Sequence, residues 1–128
     1  MPLLGLPYRC RLHLKRDFER VILGGIKLKH NGVVFWYGAN HTRQPARFAV
    51  VVSKKLGPAV VRNRVKRLLR EAFRQNRKNL VSGVDIVVSP RESARLGTVH
   101  AAQETLKTLC GRAALLRPDN APSKGSEN

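Results

Sequence analysis

Apolar side chains recur between residues 61 and 73 at the spacing of one face of an α-helix. The six that share this face are Val61, Val65, Leu68, Leu69, Ala72 and Phe73. At about 100° per residue they occupy one arc of the helix, and most of the Lys and Arg side chains of this stretch lie on the opposite side. Pro58 precedes them and suits the first turn of a helix, where its missing N–H would have no intrahelical acceptor. The pattern predicts an amphipathic helix with one core face and one cationic face.

Shorter patterns on either side of this helix predict further helices and strands. Residues 15–23 have helical spacing and end at a Gly-Gly pair. Residues 33–37 and 48–53 are β-branched and aromatic runs, typical of two strands of a hairpin or meander. The remaining predicted elements are a minor strand at 27–30, a buried strand at 85–89 and a last helix at 99–116.

These elements follow one another in the order αβββαβα. The expected fold is an α+β, or α/β sandwich, domain that covers residues 11–116. Residues 1–10 are expected to form an N-terminal extension. Residues 117–128 contain Pro, Ser, Gly and Asn without a large apolar side chain, so they are expected to form a disordered tail.

The charge of the chain is concentrated in the predicted basic helix. The 128 residues hold 25 Lys and Arg against eight Asp and Glu, a net charge of +17, and residues 54–80 hold ten of those cations with one acid. Such a field favours a polyanionic partner: nucleic acid, an anionic membrane surface or an acidic protein. The helix needs its apolar side chains for the core, which disfavours the membrane surface. No apolar run approaches the roughly 18 residues of a membrane span, so we expect a soluble, cytoplasmic protein.

The stretch from 47 to 73 carries a specific resemblance. It contains Ser-Lys-Lys at 53–55 and Arg-Asn-Arg at 62–64, and it resembles the signature of the bacterial ribonuclease P protein subunit, from which it departs at Pro58, where the family commonly has a polar residue. The resemblance extends more weakly from about residue 11 to residue 116. It implies a left-handed β-α-β crossover around the Arg-Asn-Arg helix. It also implies one protein per catalytic RNA, and that this RNA removes the 5′ leader of precursor tRNA with Mg²⁺ bound mainly by the RNA.

The resemblance also implies two binding sites. It places the following residues against the catalytic RNA: Lys54, Lys55, Arg62, Asn63, Arg64, Lys66, Arg67 and Arg70. The arginine forks suit this role because they can hold phosphate oxygens bidentately. It places Phe18, Ile22, Phe35 and Trp36 along the single-stranded leader. An aromatic platform beside cations can stack bases without reading their sequence. Strand alternation sets Trp36 apart from Phe35 and Tyr37, and Phe18 could equally belong to the core.

The sequence offers no catalytic residues and no metal site of its own. Its carboxylates are scattered over different elements, and its four His residues lack the spacing of a metal or acid–base pair. Cys10 and Cys110 are expected to be plain reduced thiols. The isolated protein is therefore expected to be inactive, as the auxiliary subunit of an RNA-based endoribonuclease. The alternative is a ribosomal or general structured-RNA-binding protein of similar fold.

Overall fold

The computed structural model describes residues 15–92 and 97–116. Within these ranges the chain forms three α-helices and one four-stranded sheet. The helices are α1 (Lys15–Gly24), α2 (Ala59–Asn76) and α3 (Val99–Arg112), and the strands are β1 (Ile26–His30), β2 (Val33–Ala39), β3 (Arg47–Val50) and β4 (Val84–Pro90). The predicted order αβββαβα and the α+β class are confirmed. The expected extension and tail, residues 1–10 and 117–128, lie outside the described residues.

The strand order in the sheet is β1-β2-β4-β3. The prediction that the second and third strands form a hairpin or meander is wrong, because β4 lies between them. All seven residues of β4 are buried, so it is a central strand that needs a partner on each side. It pairs antiparallel with β2 and parallel with β3. Parallel neighbours require a crossover connection, and α2 supplies it.

The last helix ends at Arg112, earlier than the predicted end at residue 116. Ala114 adopts a left-handed backbone with φ 58°, which a continuing right-handed helix cannot contain. The chain then folds back, and the Leu115 N–H donates to the Cys110 carbonyl at 2.9 Å. Leu116 forms a bridge with Leu80, so the turn places Leu115 in the core instead of extending the helix.

The sheet is covered by helices on both faces. Helices α2 and α3 pack on one face, where Phe48 and Phe73 stack with their ring centroids 4.3 Å apart and Phe35 is fully buried. Helix α1 packs on the other face, where Val21 is buried with Ala49 and Val87. The side chains of successive residues in a strand point alternately into these two cores. The predicted sandwich is therefore present, with a large core under α2 and α3 and a small one under α1.

Candidate nucleic-acid interface

Helix α2 carries the predicted cations on the side away from its core contacts. Its buried apolar residues are Val65, Leu69, Ala72 and Phe73, as the periodicity predicts. Asn63, Arg64 and Arg67 are exposed, and Arg62, Lys66 and Arg70 are half-buried at the margins. The buried stripe fixes the helix on the sheet, so the polar side chains face outward together.

The loop before α2 extends the same surface. Lys54 and Lys55 are exposed in a short 3-10 turn, and Leu56 in the same turn is buried and anchors the loop. Pro58 occupies the cap position just before the helix, not its first turn as predicted, and its carbonyl accepts the Arg62 N–H at 3.0 Å. We name as the basic helix surface the set Lys54, Lys55, Arg62, Asn63, Arg64, Lys66, Arg67 and Arg70.

Glu71, the one acidic residue of α2, is almost fully buried. It accepts hydrogen bonds from Arg74 Nε at 3.0 Å, Arg74 Nη2 at 2.6 Å and Gln75 Nε2 at 2.7 Å. The Arg74 hydrogen bonds outweigh the effect of burial and hold the pKa of Glu71 below its usual value. Glu71 thus compensates the Arg74 charge, and the exposed cations Arg64 and Arg67 lie in the first half of the helix.

A second surface lies on the opposite face of the sheet, beside α1. Phe18 and Trp36 are half-buried against the small core, and Ile22 is 37% exposed. The Lys27 ammonium lies 5.8 Å from the centre of the Trp36 ring, a cation–π distance. We name Phe18, Ile22, Lys27 and Trp36 the α1 cleft surface. Phe18 is compatible with both predicted roles, as a core residue and as a leader contact, because it packs against the small core and is still partly accessible.

Phe35 does not belong to this surface, so its predicted place beside the leader is wrong. It lies in the core under α2 and α3 with no exposed area, and its ring centroid is 5.9 Å from that of Tyr37. The strand register explains the difference, since Phe35 is opposite Val88 whereas Trp36 is opposite Val87. Neighbouring residues of one strand point to opposite faces.

A buried ionic group joins α1 to the sheet, and the sequence patterns did not indicate it. The Asp85 carboxylate, which has no exposed area, accepts hydrogen bonds from Arg47 Nε and Nη2, both at 2.8 Å, from Asn40 Nδ2 at 2.8 Å and from Arg20 Nη2. Asp17 adds ion pairs to Arg20 at 3.4 Å and to Arg47 at 3.5 Å. We name these five residues the Asp85 cluster. The acid at residue 85, set among the apolar residues 84 and 86–88, is the only sequence signal that could have pointed to this cluster.

The charge of Asp85 is retained inside the protein. Burial would raise the pKa of this carboxyl, but the hydrogen bonds from Arg47, Asn40 and Arg20 outweigh it and hold the pKa below its usual value. The same contact with Asp85 raises the pKa of Arg47. The cluster contains two cations and two carboxylates, so it adds no net charge to the cleft.

The described residues offer no group of three or more His, Cys, Asp or Glu side chains that could hold a metal ion. The lone pairs of the buried Asp85 and Glu71 already face N–H donors. Cys110 is a free thiol whose burial raises its pKa to about 12. Over residues 15–92 and 97–116, no helix has the length and apolar character needed to cross a membrane.

Comparisons with known proteins agree with the resemblance in the basic helix. Residues 6–114 match the Ribonuclease P family. The ribonuclease P protein component of Caldanaerobacter subterraneus is 36% identical over 105 residues, which cover 82% of this chain and 90% of that protein.

Two solved structures share the fold. The Staphylococcus aureus RNase P protein has a TM-score of 0.74 and 30% identity, covering 84% of this chain and 98% of its own. The Thermotoga maritima RNase P protein has a TM-score of 0.71 and 35% identity, covering 80% and 96%. The alternative of a ribosomal or general RNA-binding protein finds no support in these matches. Because sequence and fold agree over most of both chains, this protein belongs to the ribonuclease P protein component family.

Proposed function

We propose that this chain binds the catalytic RNA of ribonuclease P through the basic helix surface, one protein to one RNA. We further propose that it binds the single-stranded 5′ leader of precursor tRNA through the α1 cleft surface, and so assists removal of the leader. The observation that carries the proposal is the separation of the two surfaces. Helices α1 and α2 pack on opposite faces of the sheet, so both surfaces can be occupied at once.

The basic helix surface suits a folded RNA. Three exposed polar side chains, Asn63, Arg64 and Arg67, project from a helix whose single acid is already paired with Arg74. Guanidinium groups can bind phosphate oxygens with two parallel hydrogen bonds, and the asparagine amide can both donate and accept. Cations held on a rigid helix would displace counterions from an RNA backbone, which favours binding at moderate salt.

The α1 cleft surface suits a flexible single strand. Trp36 presents a half-buried indole whose packing against Val21 and Val87 fixes its orientation. Base stacking on such a ring is worth about 1–3 kcal/mol and tolerates any base. Lys27 adds a positive charge next to the ring, where a phosphate of the strand would pass. Tolerance of sequence is what a site for variable leaders requires.

Catalysis is assigned to the RNA. The described carboxylates do not form a magnesium site, because Asp85 and Glu71 are surrounded by N–H donors and residues 15–92 and 97–116 hold no group of three potential ligands. The Mg²⁺ ions that supply an activated water would therefore be held by the RNA. The role of this chain is to bind and orient.

We expect the full-length protein, rigorously freed of RNA, to leave precursor tRNA uncut at any magnesium concentration. Adding the cognate catalytic RNA at low magnesium should produce cleavage at the mature 5′ end, because the protein's cations compensate the repulsion between the catalytic RNA and the precursor tRNA. Product formation followed on a gel with 5′-labelled precursor checks both results. Magnesium-dependent cleavage by the RNA-free protein would overturn the assignment of catalysis to the RNA.

Replacing Trp36 by alanine should weaken holoenzyme binding to precursors with a leader of several nucleotides. The expected loss is about 1–3 kcal/mol per lost base stack, while affinity for mature tRNA and for the catalytic RNA stays near normal. Leu23→Ala is the matched control, because Leu23 is an 84% exposed apolar residue of α1 outside the cleft surface. Equal weakening of leaderless and long-leader binding would remove Trp36 from the leader site.

A further inference from the structure

Helix α1 has little apolar contact to hold it in place. It has ten residues, of which only Val21 is buried, and Leu23 and Ile22 are exposed. Isolated helices of this length are marginal in water, so tertiary contacts must decide where α1 lies. Two of the four residues of the α1 cleft surface, Phe18 and Ile22, are carried by this helix. The position of α1 therefore sets the geometry of the cleft.

The Asp85 cluster supplies the missing contacts. Arg20 of α1 reaches the sheet twice, through Nη2 to the buried Asp85 carboxylate and through Nη1 to the Ala39 carbonyl at 2.8 Å. Arg47 of β3 holds the same carboxylate with two hydrogen bonds, and its Nη1 pairs with Asp17 of α1. The helix is thus tied to β2, β3 and β4 by directional contacts.

The cluster lies next to the cleft. Asp85 and Val87 are two residues apart on the same face of β4, about 7 Å along the strand. Val87 is opposite Trp36 in the sheet, and Asp85 is opposite Gly38. On the helix, Arg20 precedes Val21, which packs in the small core with Phe18 and Trp36. A shift of Arg20 would move Phe18 and Ile22 relative to Trp36, which lies on β2.

We propose that Asp85 is a positioning residue for the leader site: it holds α1 through Arg20 and Arg47 at the spacing from the sheet that lets Phe18, Ile22 and Trp36 contact one single strand. The inference rests on the proposed function of the α1 cleft surface. Asp85 itself is fully buried and cannot touch RNA. Its effect on the leader passes through the helix.

The test compares Asp85→Asn with Glu71→Gln. Each change removes the charge of a buried carboxylate held by an arginine fork, but Glu71 lies on α2, away from α1. For Asp85→Asn we expect the affinity gained from a long leader to fall about tenfold, with binding of leaderless tRNA and of the catalytic RNA unchanged. Glu71→Gln should leave the affinity gained from a long leader unchanged, even if it lowers the melting temperature as much as Asp85→Asn does.

Trp36, the single tryptophan of the chain, gives a second readout that needs no RNA. Acrylamide should quench its fluorescence several-fold more efficiently in free Asp85→Asn than in the wild type or Glu71→Gln, because α1 no longer shields the indole. Arg20→Gln, which leaves Arg47 and Asn40 on Asp85, should reproduce both effects, and it decides the matter if Asp85→Asn does not fold. Unchanged quenching and unchanged leader dependence in Arg20→Gln would overturn the positioning role. A different result would count against the proposed leader site itself. In that case quenching changes in Arg20→Gln, but neither the wild type nor Trp36→Ala binds a long-leader precursor more tightly than a leaderless one.

Discussion

Replacing Arg62, Arg64 and Arg67 together by alanine is expected to weaken binding of the catalytic RNA by about three orders of magnitude or more. A hydrogen bond to a charged group contributes about 1.5–3 kcal/mol, and each factor of ten in affinity corresponds to about 1.4 kcal/mol. The fold should survive, because none of the three side chains belongs to the buried stripe of α2. Equilibrium binding to the labelled RNA and a thermal melt of the free protein measure the two effects.

Salt dependence separates phosphate contacts from other causes of weak binding. About six phosphate contacts predict a slope of log K against log salt of roughly −4 to −5, and loss of three should make it shallower by about 2 to 3. Arg16, Arg43 and Lys107 are exposed cations outside the basic helix surface, so their triple alanine variant is the matched control. Equal weakening by the two triple variants would mean that net charge, not this surface, determines the affinity.

The second large effect concerns the stability of the fold. Phe35→Ala should lower the free energy of unfolding by about 3–5 kcal/mol, because the ring is fully buried and its removal leaves a cavity. The melting temperature should fall by roughly 10–20 °C. Trp36→Ala at the adjacent position should cost much less stability, because the indole is half-exposed and packs against the smaller core. A Phe35→Ala variant that keeps its melting temperature and loses only leader binding would contradict the assignment of the two faces.

The basic helix was predictable because the information is local. A period of 3.6 residues separates Val65 and Leu69 from Arg64 and Arg67 within a few turns, and no distant part of the chain is needed to assign the faces. The same holds for Trp36, whose separation from Phe35 follows from strand alternation alone. The resemblance places Phe35 beside the leader, whereas alternation places it on the other face of the sheet, and the complete burial of its ring agrees with the alternation.

The strand order and the Asp85 cluster depend on contacts between distant residues. An apolar run such as β4 shows that a strand is buried, but not which strands flank it. Asp85 meets Arg47, Asn40 and Arg20 across separations of 38, 45 and 65 residues. Nothing in the spacing of these residues selects one arginine over the many others in a chain with 25 Lys and Arg. The sequence likewise shows that residue 71 is acidic, but it does not show that this side chain is buried.

The central place of β4 has a consequence for the order in which the chain can fold during synthesis. β2 and β3 are made early, yet the strand that lies between them begins only at Val84. At roughly 5–20 residues per second, residues 51–83 take about 2 to 7 s to be added. Within that interval α2 and its cations are synthesised, before the central strand of the sheet that buries its apolar stripe. Until β4 emerges and joins β2 to β3, α2, the most basic segment of the nascent chain, therefore has no complete sheet to pack on.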